Sequence, residues 1–406
     1  MKSSKLILAS FLAVALTTMA NAAATIVHFT GSTAFRAETH QAIIRALGGA
    51  GTCTFAYFGA SLNKASEAIF YNANPATNAT VIVETSWSGS VAGLNTLIGA
   101  TPITTYLLNT TYASLATAAT GPTGTPPVFG GGFSIPAATF DPANPAPDVS
   151  MADNFAFESP TGTGGQLTSA QVALITENVV GIVPFVWVRN SGAPVSISFM
   201  TNQIGQALLS LGSLPLSFWT GVNTDTTPVY AVGRDVFSGS RVITFSETGF
   251  GILNVPDQNE PTIVGGVVTA IQDVGGTGYS SGGNVATALN GTGSDSFTQS
   301  GTSVAPGWLV GYVAVSDGST VTGAPGTYLT YNGVTFSPGA VENGQYSFWG
   351  YEHLDYLKIL AGVALTTATT VKTNLTTTDA ADFGFGILIG NMNVNRSPDG
   401  APIFHN

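Results

Sequence analysis

Three times along this chain a short apolar run ends in glycine and small hydroxyl residues and passes directly into a stretch with helical spacing. Thr25–Phe29 leads into Thr30-Gly31-Ser32-Thr33, after which Phe35, Thr39, Ile43 and Leu47 recur at helical intervals and Gly48-Gly49 supplies a stop. Val81–Thr85 leads into Ser86-Trp87-Ser88-Gly89-Ser90 and a helix through Val91, Leu94, Leu97 and Ile98. Pro228–Val232 leads into Gly233-Arg234-Asp235-Val236-Phe237-Ser238-Gly239-Ser240-Arg241 and a helix over Val242–Glu247, stopped near Gly249. Strands that alternate with helices predict an α/β fold. Val179–Val188, almost wholly apolar, is expected as a parallel strand buried on both faces. Trp308–Val315 reads as a further strand and Tyr346–Leu360 as an aromatic-rich turn into a helix. The Thr-, Gly- and Pro-rich tracts Thr101–Pro147 and Asn254–Pro306 read as loops or decorated insertions.

Composition narrows the class of partner. Of 406 residues 44% are hydrophobic and only 8% charged, which is globular and not disordered, with length for two or three domains. The start, Met1-Lys2-Ser3-Ser4-Lys5, then apolar Leu6–Leu16, then Ala20-Asn21-Ala22, has the three parts of a secretory signal, with cleavage expected after Ala22. The apolar run is too short for a membrane span. Loss of Lys2 and Lys5 turns the formal charge from −11 to −13, a poor match for nucleic acid or an anionic membrane. Cys53 is the lone cysteine, so an intramolecular disulfide and a Cys-built metal site are excluded. His28, His40, His353 and His405 are scattered, and neither metal nor cofactor is expected.

A helix N-terminus leaves N–H groups unpaired and carries partial positive charge, so each of the three turns is suited to an oxyanion, and Ser or Thr adds O–H donors. Arg234 can add a paired guanidinium contact. Each turn alone is equally an ordinary N-cap. Asp153 and Arg234 could instead form a buried structural ion pair, while Arg36 and Arg241 are expected to face solvent or a partner. Phe348–His353 is expected to pack in the core.

Gly31-Ser-Thr-Ala-Phe35, Ser86-Trp-Ser-Gly-Ser90, Val149-Ser-Met-Ala-Asp153 and, above all, Arg234-Asp-Val-Phe-Ser238-Gly-Ser240 resemble, in the same order, segments of the periplasmic phosphate-binding proteins of ABC transporters. Val179–Phe185 is similar to the crossover strand of that family. The resemblance implies a two-lobed α/β fold of the type II periplasmic binding kind, two crossover strands joining the lobes and the ligand in the cleft. Residues 1–22 would be the signal peptide, 23–180 and 340–406 lobe one, and 181–339 lobe two. It further implies phosphate contacts from Ala34 and Phe35 or, in a shifted register, Ser32 and Thr33, from Ser88, and from Arg234, Ser238, Gly239 and Ser240. Asp153 would accept the proton of a protonated phosphate, which sulfate lacks at neutral pH. The expected protein is a monomeric, periplasmic or extracellular, non-enzymatic phosphate binder serving an ABC permease. The alternatives are a binder of another oxyanion, a secreted surface protein that keeps the fold, and a hydrolase using Ser280 of Gly278-Tyr-Ser-Ser-Gly282 with His353.

Overall fold

The computed structural model describes residues 24–72, 81–99, 104–125, 127–161 and 164–406; the expected signal peptide, 1–22, lies outside them. The architecture is α/β. In the first part of the chain β1 (Thr25–Gly31), α1 (Arg36–Ala46), β2 (Cys53–Phe58), β3 (Glu67–Asn72), β4 (Val81–Ser86) and α2 (Ser90–Leu97) precede β5 (Thr117–Thr123), β6 (Val128–Gly131), β7 (Phe133–Ser134) and β8 (Val149–Ala152). The long β9 (Ile175–Arg189) follows, then α3 (Asn202–Leu211), β10 (Ser213–Pro215), β11 (Pro228–Val232) and α4 (Gly239–Thr248). A hairpin, β12 (Gln258–Val264) and β13 (Val267–Gly275), precedes α5 (Gly282–Leu289), β14 (Trp308–Ala314), β15 (Trp349–Leu357) and α6 (Gly362–Thr377).

These strands form one sheet in the order β10-β11-β14-β9-β15-β8-β1-β4-β3-β2-β5-β6, with β7 beside β2 and the β12–β13 hairpin apart. Two parallel blocks are visible in it: β8, β1 and β4 in one half, β11 and β14 in the other. Between them lie β9 and β15, antiparallel to each other and to their outer neighbours. Residues Val180, Ile182, Val183, Phe185, Val186, Trp187 and Val188 are buried, so both faces of β9 are covered. The expectation of a parallel β9 is therefore corrected: it is antiparallel on both sides. Double-sided burial makes a strand continuously apolar whatever its direction, so hydropathy cannot report that direction.

Three further expectations are corrected. Within Tyr346–Leu360, Trp349–Leu357 is a strand and not a helix; its first seven residues are all buried, which erases any one-sided period. The tract 101–147 supplies β5, β6 and β7, which extend the sheet beyond β2. In the tract 254–306, β12 and β13 are joined through Gly265-Gly266, both at positive φ, the backbone that a tight hairpin needs. The unforeseen α6 is rich in threonine, and Thr366, Thr369, Thr370, Thr373, Thr376 and Thr377 each return their hydroxyl to the carbonyl four residues back.

Candidate functional site

The N-termini of α2 and α4 meet where the two halves of the sheet approach each other. Val91 and Ala92 N–H at the start of α2 donate to the Phe237 carbonyl at 3.0 and 3.4 Å, across the gap between the halves. Gly89, at φ 100°, leaves no room for a side chain, because a Cβ would overlap that same carbonyl. At α4, Ser238 caps the helix by accepting from Arg241 N at 3.2 Å. Asp153, only 1% exposed at the end of β8, closes the junction. Its Oδ2 accepts from Ser240 Oγ at 3.1 Å and its Oδ1 from Ser90 Oγ, so hydroxyls from both halves of the protein hold one carboxylate.

Gly239 is the point of closest approach. A Cβ there would overlap Asp153 Oδ1 and stand 2.6 Å from Ser90 Oγ. Burial raises the pKa of Asp153, against the opposing influence of the Ser90 hydrogen bond, the Arg234 charge and the Ser240 hydrogen bond. Behind it Glu352, fully buried on β15, is pushed well above the carboxylate range by burial and by the neighbouring Asp153 and Glu38.

Of the ten residues expected at the site, Asp153, Ser238, Gly239 and Ser240 come together here. Arg234 is 2% exposed beside them, and its Nε and Nη2 donate to the carbonyls of Tyr279 and Ser280, each at 3.0 Å. Among the described residues no ion pair joins it to Asp153, which corrects the ion-pair reading. Ser32 Oγ accepts from Ala34 N at 3.2 Å and lies beside the Glu352 carboxyl behind Asp153. Ser88 Oγ lies 3.1 Å from Thr30 Oγ1 and, with Thr33, lines the open cleft next to the junction. Phe35 is the N-cap of α1, buried and without a side-chain cap bond.

Arg241, expected at the surface, is 7% exposed; its Nη1 donates to the carbonyls of Arg234 and Gly276 at 3.0 and 2.8 Å, and its guanidinium lies 5.0 Å from the Phe245 ring centre. It fastens the Arg234 loop and is not solvent-facing. Ser90 is the contact that motif reading missed, although it stands in the quoted Ser86–Ser90 segment as the first residue of α2. The hydrolase reading finds no support in the geometry: His353 is fully buried, its Nδ1 3.2 Å from the Ala152 carbonyl and its ring against Phe155, and no contact joins it to Ser280. Trp87 is fixed by its Nε1, which donates to His40 Nε2 at 2.9 Å, and burial lowers the His40 pKa to about 3, so the ring is a neutral acceptor.

No family model matches the chain, and no curated protein sequence matches it either. Its structure has solved neighbours. In fold the chain is similar to substrate-binding proteins of phosphate transport. A Clostridium perfringens protein assigned as a phosphate ABC transporter substrate-binding protein, solved with phosphate bound, shares 12% identity over 90% of this chain and 100% of its own, with a TM-score of 0.47. An ABC-type phosphate transport receptor from Vibrio cholerae shares 10% identity over 86% of this chain and 93% of its own, at 0.41. A human phosphate-binding apolipoprotein shares 12% over 89% and 91%, at 0.43. No helix among the described residues is long and apolar enough to cross a membrane.

Proposed function

We propose that the protein is a solute-binding protein that captures an oxyanion of the phosphate type between two lobes, lobe one being residues 23–180 and 340–406 and lobe two 181–339. The observation that carries this reading is the single carboxylate of Asp153 held by hydroxyls of both halves, at the facing N-termini of α2 and α4 and beside the buried Arg234. Helix N-termini, hydroxyl donors and a guanidinium are the groups that bind an oxyanion, and the aspartate among them accepts a proton from HPO₄²⁻ or H₂PO₄⁻. Sulfate has no such proton and would face the carboxylate as a second negative charge.

The junction also supplies a closure mechanism. The Phe237 carbonyl and the Ser240 hydroxyl bridge the two halves, so parting them frees the α2 N–H groups, and an arriving anion takes the place of that carbonyl as the halves rejoin. Delivery to an ABC permease from the periplasm or the cell exterior is part of the same reading, with Thr33 and Ser88 on the lobe-one wall of the adjoining cleft and Ser32, Ala34 and Phe35 in the loop behind them.

The test is calorimetric titration of the mature protein, stripped of ligand by partial unfolding and dialysis, with phosphate and then sulfate. Phosphate binding without a sulfate response is expected. In Asp153→Asn the preference should collapse by about 1–3 kcal/mol, the cost of one mismatched buried polar contact; undiminished discrimination would remove Asp153 from this role, and no phosphate binding by the wild type would remove the function.

A further inference from the structure

Next to the Asp153 junction the two halves part around a cleft of about 410 Å³. One wall carries Thr33, Arg36, Lys64, Trp87 and Ser88; the other is the N-terminus of α5, with Ser280 and Ser281 before it. The cleft adjoins the junction on both sides. Ser88 stands two residues before Ser90, which holds Asp153, and the Ser280 carbonyl holds Arg234 Nη2.

Part of its lining consists of anion donors with hydrogen-bonding capacity left over. Ser281 caps α5 by accepting from Asn284 N at 3.2 Å, and among the described residues the N–H groups of Gly282 and Gly283 have no partner. Among the described residues Arg36 donates one hydrogen bond, from Nε to the Asn63 carbonyl at 3.0 Å, with the Asp317 charge nearby, and Lys64 is exposed with no hydrogen bond from its Nζ. Thr33, a residue 8% exposed, also lines the cleft, and among the described residues its hydroxyl has no hydrogen-bond partner. A hydroxyl so placed is open to whatever enters the cleft. Trp87, held by His40, lines this wall.

The arrangement also repeats the chemistry of the junction. At α4, Gly239 leaves room for the Asp153 carboxylate; at α5, Gly282 leaves room for the carboxylate of Asp317, where a Cβ would overlap Oδ2 and stand 3.0 Å from Cγ. Each helix N-terminus therefore has an aspartate against its first residue and arginine charge nearby: Arg234 for Asp153, and Arg36 with Arg234 for Asp317. One orthophosphate at Asp153 would leave the second set of donors, and the whole cleft, to water.

We propose that the cleft receives a second anionic group covalently linked to the first, so that the ligand carries a diphosphate, free or esterified at one end. The inference rests on the oxyanion reading above. One phosphoryl group sits at Asp153, Ser240 and Arg234, and the other at Thr33, Arg36, Lys64 and the N–H groups of Gly282 and Gly283.

The experiment is calorimetric titration of the full mature chain with orthophosphate, pyrophosphate and ADP, repeated in Lys64→Gln and Arg36→Gln. Pyrophosphate, ADP or both should bind about tenfold or more tighter than orthophosphate, since a second set of charge-assisted contacts is added. Lys64→Gln, at an exposed position, should weaken the diphosphate by about fivefold while moving orthophosphate by less than about twofold. Tight pyrophosphate with no ADP binding assigns the free ion, and tight ADP binding assigns an ester. Orthophosphate binding with both diphosphates excluded, or diphosphate affinity indifferent to both substitutions, overturns the inference and leaves the oxyanion reading standing. Failure of all three anions to bind overturns both.

Discussion

Gly239→Ala places a single methyl group at the contact between the two halves. The residue is the first of α4 and its φ is not in the left-handed region, so alanine meets no backbone penalty and only the contact is tested. The new Cβ would overlap Asp153 Oδ1 and lie 2.6 and 2.8 Å from Ser90 Oγ and Asn154 Oδ1, where ordinary contacts begin at 3.4 Å. Asp153 and Ser90 are tied to each other, and α4 is a rigid helix, so the relief available is a retreat of α4 by about 1.5 Å, the shortfall of the Asp153 contact from ordinary van der Waals distance. Such a retreat takes the 3.1 Å Ser240–Asp153 contact out of hydrogen-bonding range. A hydrogen bond to a charged group contributes about 1.5–3 kcal/mol and residual overpacking costs about 1–3 kcal/mol, so the closed form should lose about 3 kcal/mol. At 1.4 kcal/mol per decade, anion affinity measured by calorimetry should fall by about a hundredfold. Gly339→Ala is the control, because a Cβ at that helical position meets nothing within 4 Å. If Gly239→Ala binds its anion as the wild type does and melts like Gly339→Ala, the closed junction does not govern binding.

Two other predictions concern stability. Burial opposes a charge on His28, but Asp148 and Glu84, each 3.4 Å from a ring nitrogen, outweigh it and raise the pKa from 6.5 to about 9. The stabilisation from this charge is therefore complete below pH 6.5 and is lost as pH rises through 9, an effect of about 3 kcal/mol. The difference in urea stability between wild type and His28→Gln should shrink across that window, and a constant difference would show that His28 is uncharged in the folded state. Glu247→Gln leaves Arg396, 3% exposed, without the carboxylate that its Nη1 meets at 2.7 Å, and should lower stability by about 3–5 kcal/mol. An unchanged urea midpoint would mean that the pair contributes nothing.

What could be read from the sequence was what neighbours in the chain decide. The strand, turn and helix at Thr25–Ala46, at Val81–Leu97 and at Pro228–Thr248 follow from hydropathic period and N-cap chemistry, which act over a few residues. The direction of β9 and the strand character of Trp349–Leu357 were not legible, because burial on both faces removes the alternation that distinguishes one strand from another or from a buried helix. The site divides along the same line. Ser238, Gly239 and Ser240 stand out as a helix start, whereas the holders of Arg234, the carbonyls of Tyr279 and Ser280, lie more than forty residues away and are backbone atoms that no side-chain pattern records. The glycines carry the sharpest lesson. A glycine before a helix reads as a turn residue, and Gly89 at positive φ fits that reading. Gly239 and Gly282 do not, since neither is in the left-handed region and alanine would suit their backbone equally well. They are small because a carboxylate from a distant element lies against each, Asp153 in one case and Asp317 in the other. A glycine at the first residue of a helix, with φ that does not require it, therefore records a space kept for a charged group arriving from elsewhere in the fold.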